Sequence, residues 1–221
     1  MNKTLIKICG VTQLEDFKFL SDCENVNYIG LIFSVESPRM LSIENANILL
    51  KHKNANQKIV GVFMNQSKSY IDNIISNVDI DILQFHGNES LNFCLSFKHQ
   101  FIKAIHVKDD KLSFDSNFNN HVTSYLLDTV IKNKQGGTGI AFDWDSVLSD
   151  RTITNQIENQ QCIIAGGLNP DNVTYLISRY RPYGVDASSG LESGIGKKDH
   201  ILVKKFIENV RISEKGNNEK N

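Results

Sequence analysis

The chain has 221 residues, 40% apolar and 22% charged, and its 24 basic and 25 acidic side chains leave a net charge of -1. That length suits one sizeable core of barrel or α/β dimensions, and the charge balance excludes a broad nucleic-acid surface and a polybasic membrane patch. The apolar runs, Tyr28 to Phe33 among them, are strand-sized and too short to span a bilayer, and no export signal is expected ahead of the first strand.

Residues 4–9, TLIKIC, form the first β-rich run. Thr12 followed by Glu15 has capping-box spacing and predicts a helix through Leu14, Phe17 and Leu20. Further β-rich runs lie at 28–33 (YIGLIF) and 59–63 (IVGVF). Ile71, Ile74, Ile75 and Val78 then recur at helical spacing. Runs at 80–85 (IDILQF) and 101–105 (FIKAI) follow. Residues 107–121 are polar and weakly periodic, which predicts a loop or one poor turn in place of a full helix. The sixth run is 124–128 (SYLLD), after which Trp144, Val147 and Leu148 suggest a short helix. The seventh is 161–165 (QCIIA). Val173, Leu176, Ile177 and Tyr180 make a helical stripe behind it, with Asn169 as expected N-cap and Pro170 at the first helical position. The eighth run is 183–187 (YGVDA), and Val203, Phe206, Ile207 and Val210 predict a last helix. No linker or composition break appears, so one domain is expected over residues 1–212, with a fraying polar tail at 213–221.

Eight strands alternating with helices, their ends roughly 20 to 37 residues apart, allow an open doubly wound sheet or a closed (β/α)8 barrel. The first turn, CGVTQ, lacks the glycine fingerprint of a dinucleotide site. The expectation is therefore an α/β protein built as a single TIM barrel, with a weak or missing helix after strand 5. Such barrels carry their sites at the C-terminal ends of the strands. Cys9, His86, Asp128, Asp186, Ser188 and Ser189 all fall there.

Two glycine-containing turns point to phosphate. AGGLNPDNV (165–173) puts Gly166 and Gly167 between a strand and a helix, and VDASSGLES (185–193) puts Ser188, Ser189 and Gly190 after the last strand. Glycine lets backbone N–H groups approach an anion, and helix N-termini favour negative charge. Either turn alone would serve as a tight connection, but the pair occupies the usual phosphate position of this fold. No P-loop, H-E-x-x-H or clustered His/Cys pattern is present, so no metal or cofactor is expected.

Cys9 and Asp128 would face one barrel mouth from the first and sixth strands. A thiol whose pKa is lowered by a positive neighbour can act as a base. A carboxyl in a dry pocket can donate a proton. Together they are a minimal set for moving a proton between carbons. Packing alone would explain Cys23, Cys94 and Cys162, and a lone Cys9 would also be read that way. No cysteine pair has C-x-x-C spacing, and free thiols in a reducing cytoplasm are expected.

The motifs, in order, resemble those of the phosphoribosylanthranilate isomerase family: KICGVT (7–12), GLIFSVESPRML (30–41), VGVFMN (60–65), LQFHGNE (83–89), LLDT (126–129), GGTGIAFDW (136–144), AGGLNPDNV and GVDASSGLESGIGKKD (184–199). The resemblance implies an Amadori rearrangement of N-(5-phosphoribosyl)anthranilate. It implies Asp128 as general acid, Cys9 as general base and Arg39 as the contact to the anthranilate carboxylate. Gln84 and His86 match pocket residues, Asp186 a residue near the substrate hydroxyls, and residues 136–139 a mobile loop. Ile140 departs from the basic residue the family often has there. The implied partner is a small phosphorylated molecule, with no nucleic acid or membrane, for a monomer or homodimer. A related phosphosugar barrel would need the lysine and glutamate of an indole-glycerol-phosphate synthase or the metal ligands of a pentose-phosphate epimerase, and neither set is seen. A catalytically silent barrel that only binds a phosphorylated ligand is the alternative from a different class, and the presence of both Cys9 and Asp128 argues against it.

Overall fold

All eight β-rich runs form strands: β1 Leu5–Cys9, β2 Tyr28–Ile32, β3 Lys58–Phe63, β4 Ile82–Phe85, β5 Phe101–Lys108, β6 Ser124–Thr129, β7 Cys162–Ile164 and β8 Gly184–Ala187. The computed structural model describes residues 3–108, 111–112, 115–129 and 161–216. Each strand pairs in parallel with the next, and β8 returns to β1 with Lys7 opposite Asp186 and Ile8 opposite Ala187, so the sheet closes into a barrel. The helices are α1 Leu14–Ser21, α2 Ile43–Leu50, α3 Lys68–Asn77, α4 Leu91–Leu95, α5 Val173–Tyr180 and α6 His200–Gly216.

The two-residue strand repeat divides the core in two. Ile6, Ile8, Ile29 and Leu31 belong to the outer cluster, with Phe17, Leu20, Val203 and Phe206 of the helices. Leu5, Cys9, Val60, Val62, Ile82, Ile102, Leu126 and Ile163 make the inner cluster. Each fully buried aliphatic side chain contributes about 1.5–3 kcal/mol. Ser42, Ser67 and Ser90 cap α2, α3 and α4 by accepting from the backbone N–H of Asn45, Tyr70 and Phe93, an effect worth about 1 kcal/mol each.

Three local expectations are corrected. The N-cap of α1 is Gln13, without a side-chain bond. The hydroxyl of Thr12 instead donates to the Gly196 carbonyl at 2.6 Å, a tertiary contact that displaces the local one. Asn169 does not cap α5: its Oδ1 accepts from the N–H groups of Asp171 and Asn172, a local turn that holds Pro170 ahead of the helix. The last helix continues through Ser213 to Gly216, because Ser213 bonds the Asn209 carbonyl and Arg211 reaches both Glu214 and Asn25. After β5 the chain forms a short antiparallel return at Lys111–Leu112 and one 3-10 turn at Ser116–Phe118, as the weak periodicity predicted. Trp144, Val147, Leu148, the 136–139 tract and Ile140 lie outside the described residues. Among the described residues, no helix is long and apolar enough to cross a membrane.

Candidate active site

Strand alternation sets which polar groups turn inward. Cys9 shares the inward parity of Leu5, Asp128 that of Leu126, and Gln84 and His86 that of Ile82. Asp186 lies opposite Lys7 in the β1–β8 register.

On one side of the mouth, Cys9 is buried and 6% exposed. Gly30 stands opposite it in β2, and a Cβ there would lie 2.7 Å from the sulfur. Lys7, two residues earlier on the same strand, is fully buried and donates to Asp186 Oδ2 at 2.8 Å. The other oxygen, Oδ1, is buried with no hydrogen-bond partner among the described residues. Burial pushes the Cys9 thiol above its ordinary value, against the pull of Lys7 and Lys198. The cations expected to lower it are therefore present but do not outweigh desolvation. Burial likewise raises the Asp186 carboxyl against Lys7. Burial works to lower Lys7, but the Asp186 and Cys9 charges more than offset it and hold the ammonium above its usual value.

On the other side, Asp128 Oδ2 lies 2.9 Å from His86 Nε2. The Gln84 side-chain amide is 3.0 Å from His86 Nδ1. With Gln84 donating, Nδ1 accepts and Nε2–H donates to Asp128 Oδ2. His106, which is in register with Asp128, donates from Nε2 to the His86 carbonyl at 2.6 Å. The turn itself is held by Lys103, which donates to the Gly87 carbonyl, and by Glu89, which accepts from the N–H groups of Asn65 and Gly87. Among the described residues, His86, His106 and Asp128 form the one group whose ligand atoms all lie within 4.8 Å of one another, close enough to hold a metal ion. Hydrogen bonding within that group accounts for its closeness.

Arg39 reaches the mouth from the β2–α2 loop, which is pinned where Leu41 N–H bonds the Ile32 carbonyl at 2.8 Å. Its stem crosses Gly10, whose φ is +71°. A Cβ at Gly10 would lie 2.6 Å from Arg39 Cδ and 2.9 Å from Ser188 Oγ. Cys9, Arg39 and Ser188 are thus neighbours. The guanidinium is held by Glu192, with Nε–Oε1 at 2.7 Å and Nη2–Oε2 at 2.6 Å. Lys198 donates to the same carboxylate at 2.9 Å and to the Ser188 carbonyl at 3.2 Å.

The loops after β7 and β8 touch. Gly166 and Gly167 have φ of +87° and +65°, and a Cβ on Gly190 would stand 2.1 Å from the Leu168 carbonyl oxygen. Ser188, Ser189 and Gly190 lead into a 3-10 turn, Ser189–Leu191, beside these glycines. The structure therefore gathers the sequence-predicted residues around one mouth. The Asp186 carboxyl feels both Lys7 on the thiol side and Asp128 and His86 on the other. Sequence reasoning missed Lys7, His106, Glu192 and Lys198. For Lys7 a signal existed: a lysine two residues before Cys9 in an apolar strand must face the same way.

Residues 6–209 match the family described as N-(5'phosphoribosyl)anthranilate (PRA) isomerase. The N-(5'-phosphoribosyl)anthranilate isomerase of Legionella pneumophila (strain Paris) is 38% identical over 208 residues, 93% of this chain and 96% of that protein. The crystal structure of phosphoribosyl anthranilate isomerase from Thermotoga maritima superposes with a TM-score of 0.80 at 34% identity, covering 94% of this chain and 98% of that one. A phosphoribosyl anthranilate isomerase in complex with reduced 1-(o-carboxyphenylamino)-1-deoxyribulose 5-phosphate superposes with a TM-score of 0.78 at 33% identity, covering the same shares of the two chains.

Proposed function

The chain belongs to the N-(5'-phosphoribosyl)anthranilate isomerase family, and we propose that Cys9 and Asp128 carry out its chemistry as base and acid. The protein is an aldose–ketose isomerase, an intramolecular oxidoreductase of tryptophan biosynthesis. It converts N-(5-phosphoribosyl)anthranilate to 1-(2-carboxyphenylamino)-1-deoxyribulose 5-phosphate. The observation that carries the assignment is that β1 and β6 aim a thiol and a carboxyl into the same barrel mouth, where Asp186 pairs with Lys7 of β1.

Asp128 donates its proton to the ribose ring oxygen. The C1–O bond breaks and a protonated Schiff base forms between C1 and the anthranilate nitrogen. That cation acidifies the C2 hydrogen and adds positive charge beside the sulfur. Cys9 takes the C2 proton as the thiolate, the form that Lys7 and Lys198 favour against the burial that raises the thiol. The electron pair moves to form an enolamine, which tautomerises to the ketose. Arg39 binds the anthranilate carboxylate, since a guanidinium fork matches a carboxylate. Gln84 and His86 orient Asp128, and Asp186 sits by the sugar hydroxyls with a buried oxygen in need of a donor. Gly166, Gly167, Ser188, Ser189 and Gly190 hold the phosphate. The four cysteines are all free, which supports a reducing, cytoplasmic setting. The active form is a monomer or homodimer.

The test is turnover of substrate made in situ, followed as the fall of anthranilate fluorescence. Cys9→Ala and Asp128→Asn are each expected to lower kcat by about 100-fold or more, with phosphate-ligand binding retained. Unchanged turnover in either variant removes that residue from its role.

A further inference from the structure

We propose that Glu192 is a positioning residue that turns Arg39 so that its outer edge reads the substrate carboxylate. The inference rests on the carboxylate-binding role given to Arg39 above.

Glu192 takes the side edge of the guanidinium, through Nε–H and one Nη2–H. Five N–H groups in a fixed plane leave an end-on fork, made by Nη1 and the second Nη2–H. No described residue accepts from Nη1. The Glu192 side chain is 5% exposed and that of Arg39 18%, so the carboxylate lies beneath and the guanidinium above it. Lys198, whose side chain is fully buried, donates to the same Oε1 that Arg39 Nε–H reaches. Burial would raise the Glu192 carboxyl, yet Arg39 and Lys198 hold it below its ordinary value. Arg39 and Lys198 share one carboxylate, and burial pulls Lys198 below its ordinary value, so the guanidinium is the group left with unfilled donors. A second carboxylate on the open fork fills them.

Placement agrees with the reaction. The Arg39 stem lies against Gly10, the residue after Cys9. A carboxylate read there brings the anthranilate ring, and with it C1 and C2 of the sugar, to the thiol side of the mouth. Without Glu192, the flexible stem would let the fork swing away.

The full chain is tested as Glu192→Gln, which keeps the side-chain shape, and as Glu192→Ala and Arg39→Ala. Three probes are titrated: the reduced product analogue, the same molecule lacking its carboxyl group, and inorganic phosphate. Glu192→Gln is expected to raise KM about 10-fold or more with kcat within about threefold, the pattern of lost binding that ground and transition states share. Affinity for the carboxylated analogue should fall by the same factor, and the other two probes should bind as before. Unchanged or tighter binding of the carboxylated analogue would show Glu192 to be idle or a competitor for Arg39, and would overturn the proposal. Equal losses on all three probes would reduce Glu192 to a structural part and also overturn it. An Arg39→Ala protein that still prefers the carboxylated probe overturns the role of Arg39 itself. Loss of that preference in Arg39→Ala, with Glu192→Gln retaining it, overturns the part played by Glu192 alone. If Glu192→Ala fails to fold, Glu192→Gln decides.

Discussion

Replacing Lys7 with methionine removes one charge from the barrel interior and keeps most of the side-chain volume. The Lys7 side chain has no exposure and that of Asp186 only 8%, so water cannot compensate the carboxylate left behind. Breaking a buried pair from one side costs about 3–5 kcal/mol, which in a chain of this size lowers Tm by roughly 6–20 °C. The loss has a defined pH dependence. Burial already raises the Asp186 carboxyl, and without Lys7 it rises further. A carboxyl that titrates higher in the folded than in the unfolded chain binds its proton more tightly when folded. Its stabilising effect is full below the unfolded value and is lost as pH rises through the folded one. The deficit of Lys7→Met against the parent should therefore be small near about pH 4 and full by about pH 8. Urea unfolding followed by far-UV circular dichroism, parent and variant at each pH, measures it. The double variant Lys7→Met/Asp186→Leu should recover most of the loss, since an apolar pair can replace a buried ionic one. A deficit under about 1 kcal/mol at pH 8, or one that does not change with pH, would refute this account of the pair.

Two glycine substitutions probe the close approaches at the mouth. Gly30→Ala puts a methyl 2.7 Å from the Cys9 sulfur and 3.0 Å from its Cα. Steady-state kinetics should show kcat falling at least about 10-fold, through misplacement of the base, while thermal melts show a folded protein. Gly190→Ala drives a methyl to 2.1 Å from the Leu168 carbonyl oxygen, so the two final loops must part. Calorimetric titration should show weaker binding of phosphorylated ligands, and Tm should fall with it.

Fold and site were legible to different depths. Each β-rich run became a strand because its branched and aromatic residues had two apolar surfaces to fill, the barrel interior and the helix layer. Cys9 and Asp128 stood out because each ends such a run, where an apolar residue would be expected. The misreadings were local rules overruled from a distance. Thr12 has the spacing of a cap, but Gly196 lies within reach and takes its hydroxyl. Asn169 and Pro170 look like a helix start, but Asn169 spends its oxygen on a turn of its own. Glu192 stayed hidden for a different reason: nothing in LES or SPR says that residues 153 positions apart will share two hydrogen bonds. His106 depends on the β5–β6 register, which the weakly periodic segment between them does not disclose.

The closure of β8 onto β1 also sets an order of events during synthesis. Lys7 and Asp186 are 179 positions apart, and Asp16 meets the Lys198 backbone 182 positions on. A chain leaving the ribosome N-terminus first exposes Cys9 early and supplies Asp186, Ser188 and Lys198 last. The first strand must wait, unpaired on one edge, for nearly the whole polypeptide, and contacts of such long sequence separation form slowly. Competence to isomerise therefore arrives in one late step, and a nascent chain halted before residue 184 would possess the thiol and the acid but no enclosed chamber in which to use them.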